Sequence, residues 1–261
     1  MPDGAPLIDP DIVAGRIGML LRERRSGAVK PLLAALEKLA PDHQDLAALR
    51  ASYCCQIGDF AAALAVLEAA ILQSPGKAEL HLLRSEVLFG QAAYAGAAIE
   101  AAEAILLAPN LTRAKSVLGL ALLQLGQFDS ALPCLAESFA ADPSAIDVAL
   151  GFAALAPEKA GAILIQAIAA TPRLTLLRNA LARRYLRLGD VAAASQVALQ
   201  AVADGLADAE SYCLLACAQM QQGCPNEAAT SVARALSIAP EHRFALELAD
   251  QLRAGQQPEC R

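Results

Sequence analysis

The chain is 261 residues long and 56% hydrophobic, yet it has no Trp and only 4% aromatic residues, so its core must be assembled from aliphatic side chains and Ala. Ala favours helix and close helix approach, whereas a sheet would draw on β-branched and aromatic residues, so the composition predicts an all-α protein. A net charge of −6 disfavours nucleic acid as the main ligand, and no run of about 18 apolar residues free of charge or Pro offers a membrane span.

The opening MPDGAPLIDPDIVAGR is acidic before it is basic and has no apolar stretch leading to a cleavage site. No signal peptide is expected, and the seven cysteines are expected to stay reduced in a cytoplasm. Residues 1–9, with Pro, Asp and Gly and no helical stripe, read as a disordered lead. A beat of 34 residues then sets in: Pro41, Pro75, Pro109 and Pro143 keep it, as do Phe60, Tyr94 and Phe128, and Ala63, Ala97 and Ala131. Counting back from Pro41 gives a degenerate N-terminal cap at 10–43, with helices over 11–25 and from just after Ser26-Gly27.

Three regular repeats fill 44–145, each a helix pair whose turn carries Gly58, Ala92 or Gly126. The next repeat, 146–174, is shortened, because Pro143 and Pro172 are 29 apart. The loss falls at the end of its first helix, Pro157-Glu158-Lys159 reads as the start of its second, and a notch is expected beside it. Two more repeats occupy 175–242, a lone helix at 243–255 covers the last of them and stops at Gly255, and 256–261 reads as a disordered tail.

Lys115, Leu118, Gly119 and Leu122 stand where the tetratricopeptide pattern has W-x2-L-G-x2-Y, and Ala131, Leu135 and Pro143 stand where it has A-x3-F and the closing Pro. With the 34-residue period, the chain resembles a tetratricopeptide repeat (TPR) protein. The resemblance implies an all-α, right-handed superhelical solenoid of antiparallel helix pairs, acting as a non-enzymatic scaffold or adaptor that binds a partner protein or peptide in its concave groove. It also implies an alternative, the regulatory or substrate-recruiting half of a bacterial glycosyl-, sulfo- or methyltransferase supplied by a longer or neighbouring chain.

Motifs for nucleotide, dinucleotide or zinc chemistry are absent from the sequence, so no catalytic residue, metal or cofactor is expected. His43, His81 and His242 are isolated and read as structural or solvated. Cys213 and Cys217 share a helix face, but no nearby His or CxxC partner is expected to complete a site, and they read as small apolar residues. On each first helix, repeat positions 2, 5, 9, 12 and 13 lie on a face turned away from the stripe that packs on the second helix. TPR proteins are similar in lining their groove with that face, which here places Leu82, Glu86, Phe89, Leu120, Leu123, Asn179, Arg183, Arg187 and Met220 in a binding groove. The alternative is that curvature buries some of these between adjacent first helices. Asn179, Arg183 and Arg187 recur every four residues as a ladder suited to a carboxylate, supplied by an acidic segment or by the C-terminus of a partner. This use looks like the carboxylate clamp of TPR grooves, although that pattern draws its donors from several repeats.

Overall fold

The computed structural model describes residues 9–255, whose regular structure is entirely α-helical. Among the described residues fifteen helices pack consecutively through short turns, as antiparallel pairs do. The first pair is α1 (Pro10–Arg22) and α2 (Ser26–Leu39), the second α3 (Leu46–Gln56) and α4 (Phe60–Gln73), and the third α5 (Ala78–Gly90) and α6 (Tyr94–Leu107). α7 (Thr112–Gln124) pairs with α8 (Phe128–Ala141), and α9 (Ile146–Leu155) with α10 (Ala160–Ala170). α11 (Thr175–Arg187) and α12 (Val191–Ala203), then α13 (Ala209–Gln221) and α14 (Pro225–Ile238), complete the pairs, and α15 (Arg243–Ala254) stands alone. Contacts divide the protein after Ser138, inside α8, into two compact units, each a solenoid of such pairs.

The beat in the sequence is a packing beat. Ala63, Ala97 and Ala131 are all completely buried, at the points where the second helix of a pair presses on the first. Asp59 caps α4 by accepting from Ala62 N at 3.0 Å, and Asp190 caps α12 by accepting from Ala193 N at 3.1 Å. In the second and fourth pairs the turn between the helices uses a left-handed residue, Gly58 and Gly126, and in the third pair Ala92, at φ 59°, takes that place. A Cβ in that region costs about 1–2 kcal/mol, part of which glycine returns as extra freedom in the unfolded chain. Ala92→Gly is therefore expected to stabilise the protein by about 0.5–1 kcal/mol, seen as a higher urea midpoint.

Some boundaries depart from expectation. α1 ends at Arg22, because Arg24 takes a left-handed turn at φ 55°, and α2 already begins at Ser26. In the shortened pair, α9 has 10 residues against 13 in α7, and α10 has 11 against 14 in α8. Both helices thus share the loss, and Pro157-Glu158-Lys159 forms the turn before α10 rather than its first turn. Of the expected lead, Asp9 is described and caps α1 by accepting from Asp11 N at 2.9 Å; residues 1–8, and the expected tail at 256–261, lie outside the described residues. Among the described residues no helix is long and apolar enough to cross a membrane.

Candidate functional site

In the first unit the leading helices of successive pairs touch, α3 with α5 and α5 with α7, so the inner face of that stack is built from them. Phe89, Leu120 and Leu123 are half-buried on α5 and α7. Phe89 packs edge-on against Tyr94, with ring centroids 5.4 Å apart, which ties it to the start of α6. Glu86 accepts a hydrogen bond from the Arg113 guanidinium at 3.0 Å, bridging α5 to α7. Burial pushes the Glu86 carboxyl above the usual range, and Arg113 pulls it back. Leu82, expected to line this face, is instead buried in the cluster formed with Ala101, Ala104, Ala114 and Val117. Curvature draws α7 over it.

The second unit shows the same correction more strongly. α11 touches α13, α13 touches α15, and α13 is apolar and buried nearly all round. Met220, Cys213 and Cys217 are interior residues rather than groove lining. Cys213 Sγ lies 3.8 Å from Nδ1 of His242, a neighbour that sequence spacing did not reveal. The same nitrogen accepts from Ala245 N at 3.3 Å and so caps α15. Burial, with help from Glu210 and Asp208, pushes the Cys213 thiol up to about 12, which suits an inert structural thiol.

Asn179 is likewise not part of a surface ladder, being buried beneath the start of α13. Its amide donates to Asp208 Oδ1 at 3.1 Å and its carbonyl oxygen accepts from Ser211 Oγ at 2.8 Å. Asp208 and Ser211 form a reciprocal capping box, in which Asp208 Oδ1 accepts from Ser211 N at 2.8 Å. The spacing Asp208-x-x-Ser211 is the sequence signal that could have found this brace. Burial raises the Asp208 carboxyl, but hydrogen bonds from Ser211 and Asn179 more than offset it, leaving it below its ordinary value of 3.8. Its contribution to stability is therefore present above pH 3.8 and lost as pH falls through the depressed folded value. Urea midpoints measured on either side of that pH should fall more steeply for the natural protein than for Asp208→Asn.

Arg183 is engaged as well, donating to the Glu210 carboxylate across α11 and α13. It repeats, with charges exchanged, the Glu86–Arg113 bridge, and each pair spans 27 residues. Arg187 differs. With Arg183 and Arg184 it lines a cleft of about 460 Å³, to which α9 and α10 contribute Leu150, Ala153 and Leu164. The shortened pair creates this space, since α9 makes no contact with α11 comparable to those of α11 with α13 or α13 with α15. The expected notch thus takes the form of a cleft within the second unit. Among the described residues neither Arg184 nor Arg187 has an ion-pair partner within 4.0 Å.

His81, at the large-residue position of its first helix, is buried, with Nδ1 2.9 Å from Glu100 and Nε2 3.2 Å from the Pro75 carbonyl. Arg178, at the equivalent place in α11, donates to the Pro172 carbonyl and to Asp204. His43 lies 3.0 Å from Asp11 and accepts from Asp45 N at 3.1 Å. No group of three potential metal ligands occurs among the described residues.

Comparison with known proteins fits this geometry. Family models described as tetratricopeptide repeat match residues 55–112 and 179–243, and 112–144, together more than half of the chain. The shortened pair falls in the gap between these matches. No curated protein matches the chain in sequence. Similar solved structures include a tetratricopeptide repeat protein from Parabacteroides merdae ATCC 43184, 17% identical, with TM-score 0.60 over 94% of this chain and 98% of that one. PilW, described as a widely conserved type IV pilus biogenesis factor, is 17% identical, with TM-score 0.65 over 78% of this chain and 97% of its own. YrrB, described as a TPR protein with an unusual peptide-binding site, is 15% identical, with TM-score 0.58 over 70% of this chain and 97% of its own. At these identities the likeness is one of fold. The repeat period, the paired helices and the family matches together establish that the chain belongs to the tetratricopeptide repeat family.

Proposed function

We propose that the protein is a non-enzymatic, cytoplasmic scaffold that holds a segment of a partner protein on the inner face of its first unit. The observation that carries this reading is the apolar strip of Phe89, Leu120 and Leu123, half-buried on α5 and α7 and bordered by the Glu86–Arg113 bridge. Aliphatic and aromatic groups left partly open beside a fixed ion pair offer contact area and register to a segment laid along them. The fold supports the general role, since TPR arrays bind proteins or peptides, and YrrB is itself described by a peptide-binding site.

Photo-crosslinking in cells tests the reading. A benzophenone amino acid at Leu120 or Leu123 is expected to give the same discrete protein adduct, and one at Leu106, which is 76% exposed on α6, is expected to give none. Adducts from Leu106 alone, or none from either inner position, would remove the partner from this face.

A further inference from the structure

We infer that the cleft beside the shortened pair is a second docking site, for an extended segment of a partner protein in which acidic and aliphatic residues alternate. The inference rests on the protein-binding reading but concerns a separate site, built from the second unit alone. Its cause is local: α9 and α10 are each three residues shorter than α7 and α8, and the gap between α9 and α11 stays open.

The lining joins two chemistries. α9 and α10 contribute the apolar Leu150, Ala153 and Leu164, and α11 contributes Arg183, Arg184 and Arg187 beside Ala180, with no acidic residue among the described residues of the lining. Arg183 is already held by Glu210. Among the described residues Arg184, half-buried, and Arg187, exposed, hold no acid, so two guanidiniums on one turn of α11 remain for a ligand. Their place in the last turn of the helix favours positive charge locally, yet the apolar residues that line the cleft with them disfavour solvation by water alone. Arginine binds carboxylates through paired donors and keeps its charge when partly desolvated.

Spacing selects the form of the ligand. Side chains three apart on a helix are about 5–6 Å apart at Cβ. In an extended chain, residues two apart are about 6.5–7 Å apart and point the same way, while the residue between them points to the other side. A segment reading acid-aliphatic-acid thus presents its carboxylates to Arg184 and Arg187 and its aliphatic side chain to Leu150 and Leu164.

The test uses the full chain and a fluorescein-labelled Glu-Leu-Glu-Leu-Glu peptide blocked at both ends, read by fluorescence anisotropy. Binding is expected, weakening with salt. It should fall about tenfold or more when Arg184→Gln and Arg187→Gln are combined, with the melting curve unchanged. Ala154→Glu, which puts a like charge into the cleft, should reduce binding as well. A Gln-Leu-Gln-Leu-Gln peptide blocked in the same way should not bind, and one with a free C-terminal carboxylate as its sole acid should bind far more weakly than the Glu peptide. No binding of the Glu peptide, or binding indifferent to the double variant, overturns the inference and leaves the crosslinking result on the first unit untouched. Equal binding of the peptide with the single terminal carboxylate overturns the alternating-acid form of the ligand.

Discussion

Gly119→Val is expected to destabilise the first unit by about 3 kcal/mol, at the upper end of what overpacking costs. A Cβ at Gly119 would stand 2.9 Å from both Cγ and Cδ2 of Leu135 and 3.1 Å from Cβ of Cys134. Leu135 is completely buried, so it cannot swing into solvent to make room. α7 and α8 would have to separate, and Ala131, completely buried in the same contact region, would lose its close packing. Ala131→Phe should act in the same direction, by about 1–3 kcal/mol. Gly15→Ala is the control: it lies within α1 with nothing near its added Cβ, and helix propensity alone should give a gain of up to about 1 kcal/mol. Urea unfolding followed by circular dichroism measures all three, with hydrogen exchange locating the loss in α7 and α8. An unchanged midpoint for Gly119→Val would mean that the two helices do not approach as described.

The fold was legible because three independent residue series keep one period, and a period of that length has few physical realisations. Boundaries at Pro157 and Ser26 were less legible. A proline without an amide proton is tolerated both in a turn and in the first turn of a helix, so Pro157 alone does not choose between them. The candidate site was legible in direction but not in depth. Repeat position tells which way Leu82, Asn179 and Met220 point, whereas their burial depends on how closely the next leading helix approaches. The Arg183–Glu210 and Glu86–Arg113 bridges could have been found by pairing opposite charges 27 residues apart, and that would have removed Arg183 from the ladder and left Arg187. Arg184, three residues before Arg187, lies beside it on the helix although it falls outside a ladder of every fourth residue. Both border the space that the short α9 leaves in front of them.

Leu248→Asp is expected to cost about 4 kcal/mol or more and to turn Cys213 from an inert thiol into a reactive one. Leu248 is completely buried and, with Ala245, joins α15 to the cluster containing Cys213, Cys217 and Met220. Because α13 is apolar nearly all round, it depends on α15 as a cover in addition to its own partner α14. A carboxylate at position 248 would be buried without a partner, and the lowest-energy response is for the short helix to lift away. That would take His242 from beside Cys213 and let water reach the thiol, removing the burial that holds its pKa near 12. Thiol labelling mapped by mass spectrometry would then show Cys213 modified in the variant under native conditions and protected in the natural protein, while Cys54, in the first unit, should label alike in both. Protection of Cys213 that survives Leu248→Asp would show that α13 is shielded without α15, and that the last helix is an appendage rather than the end of the core.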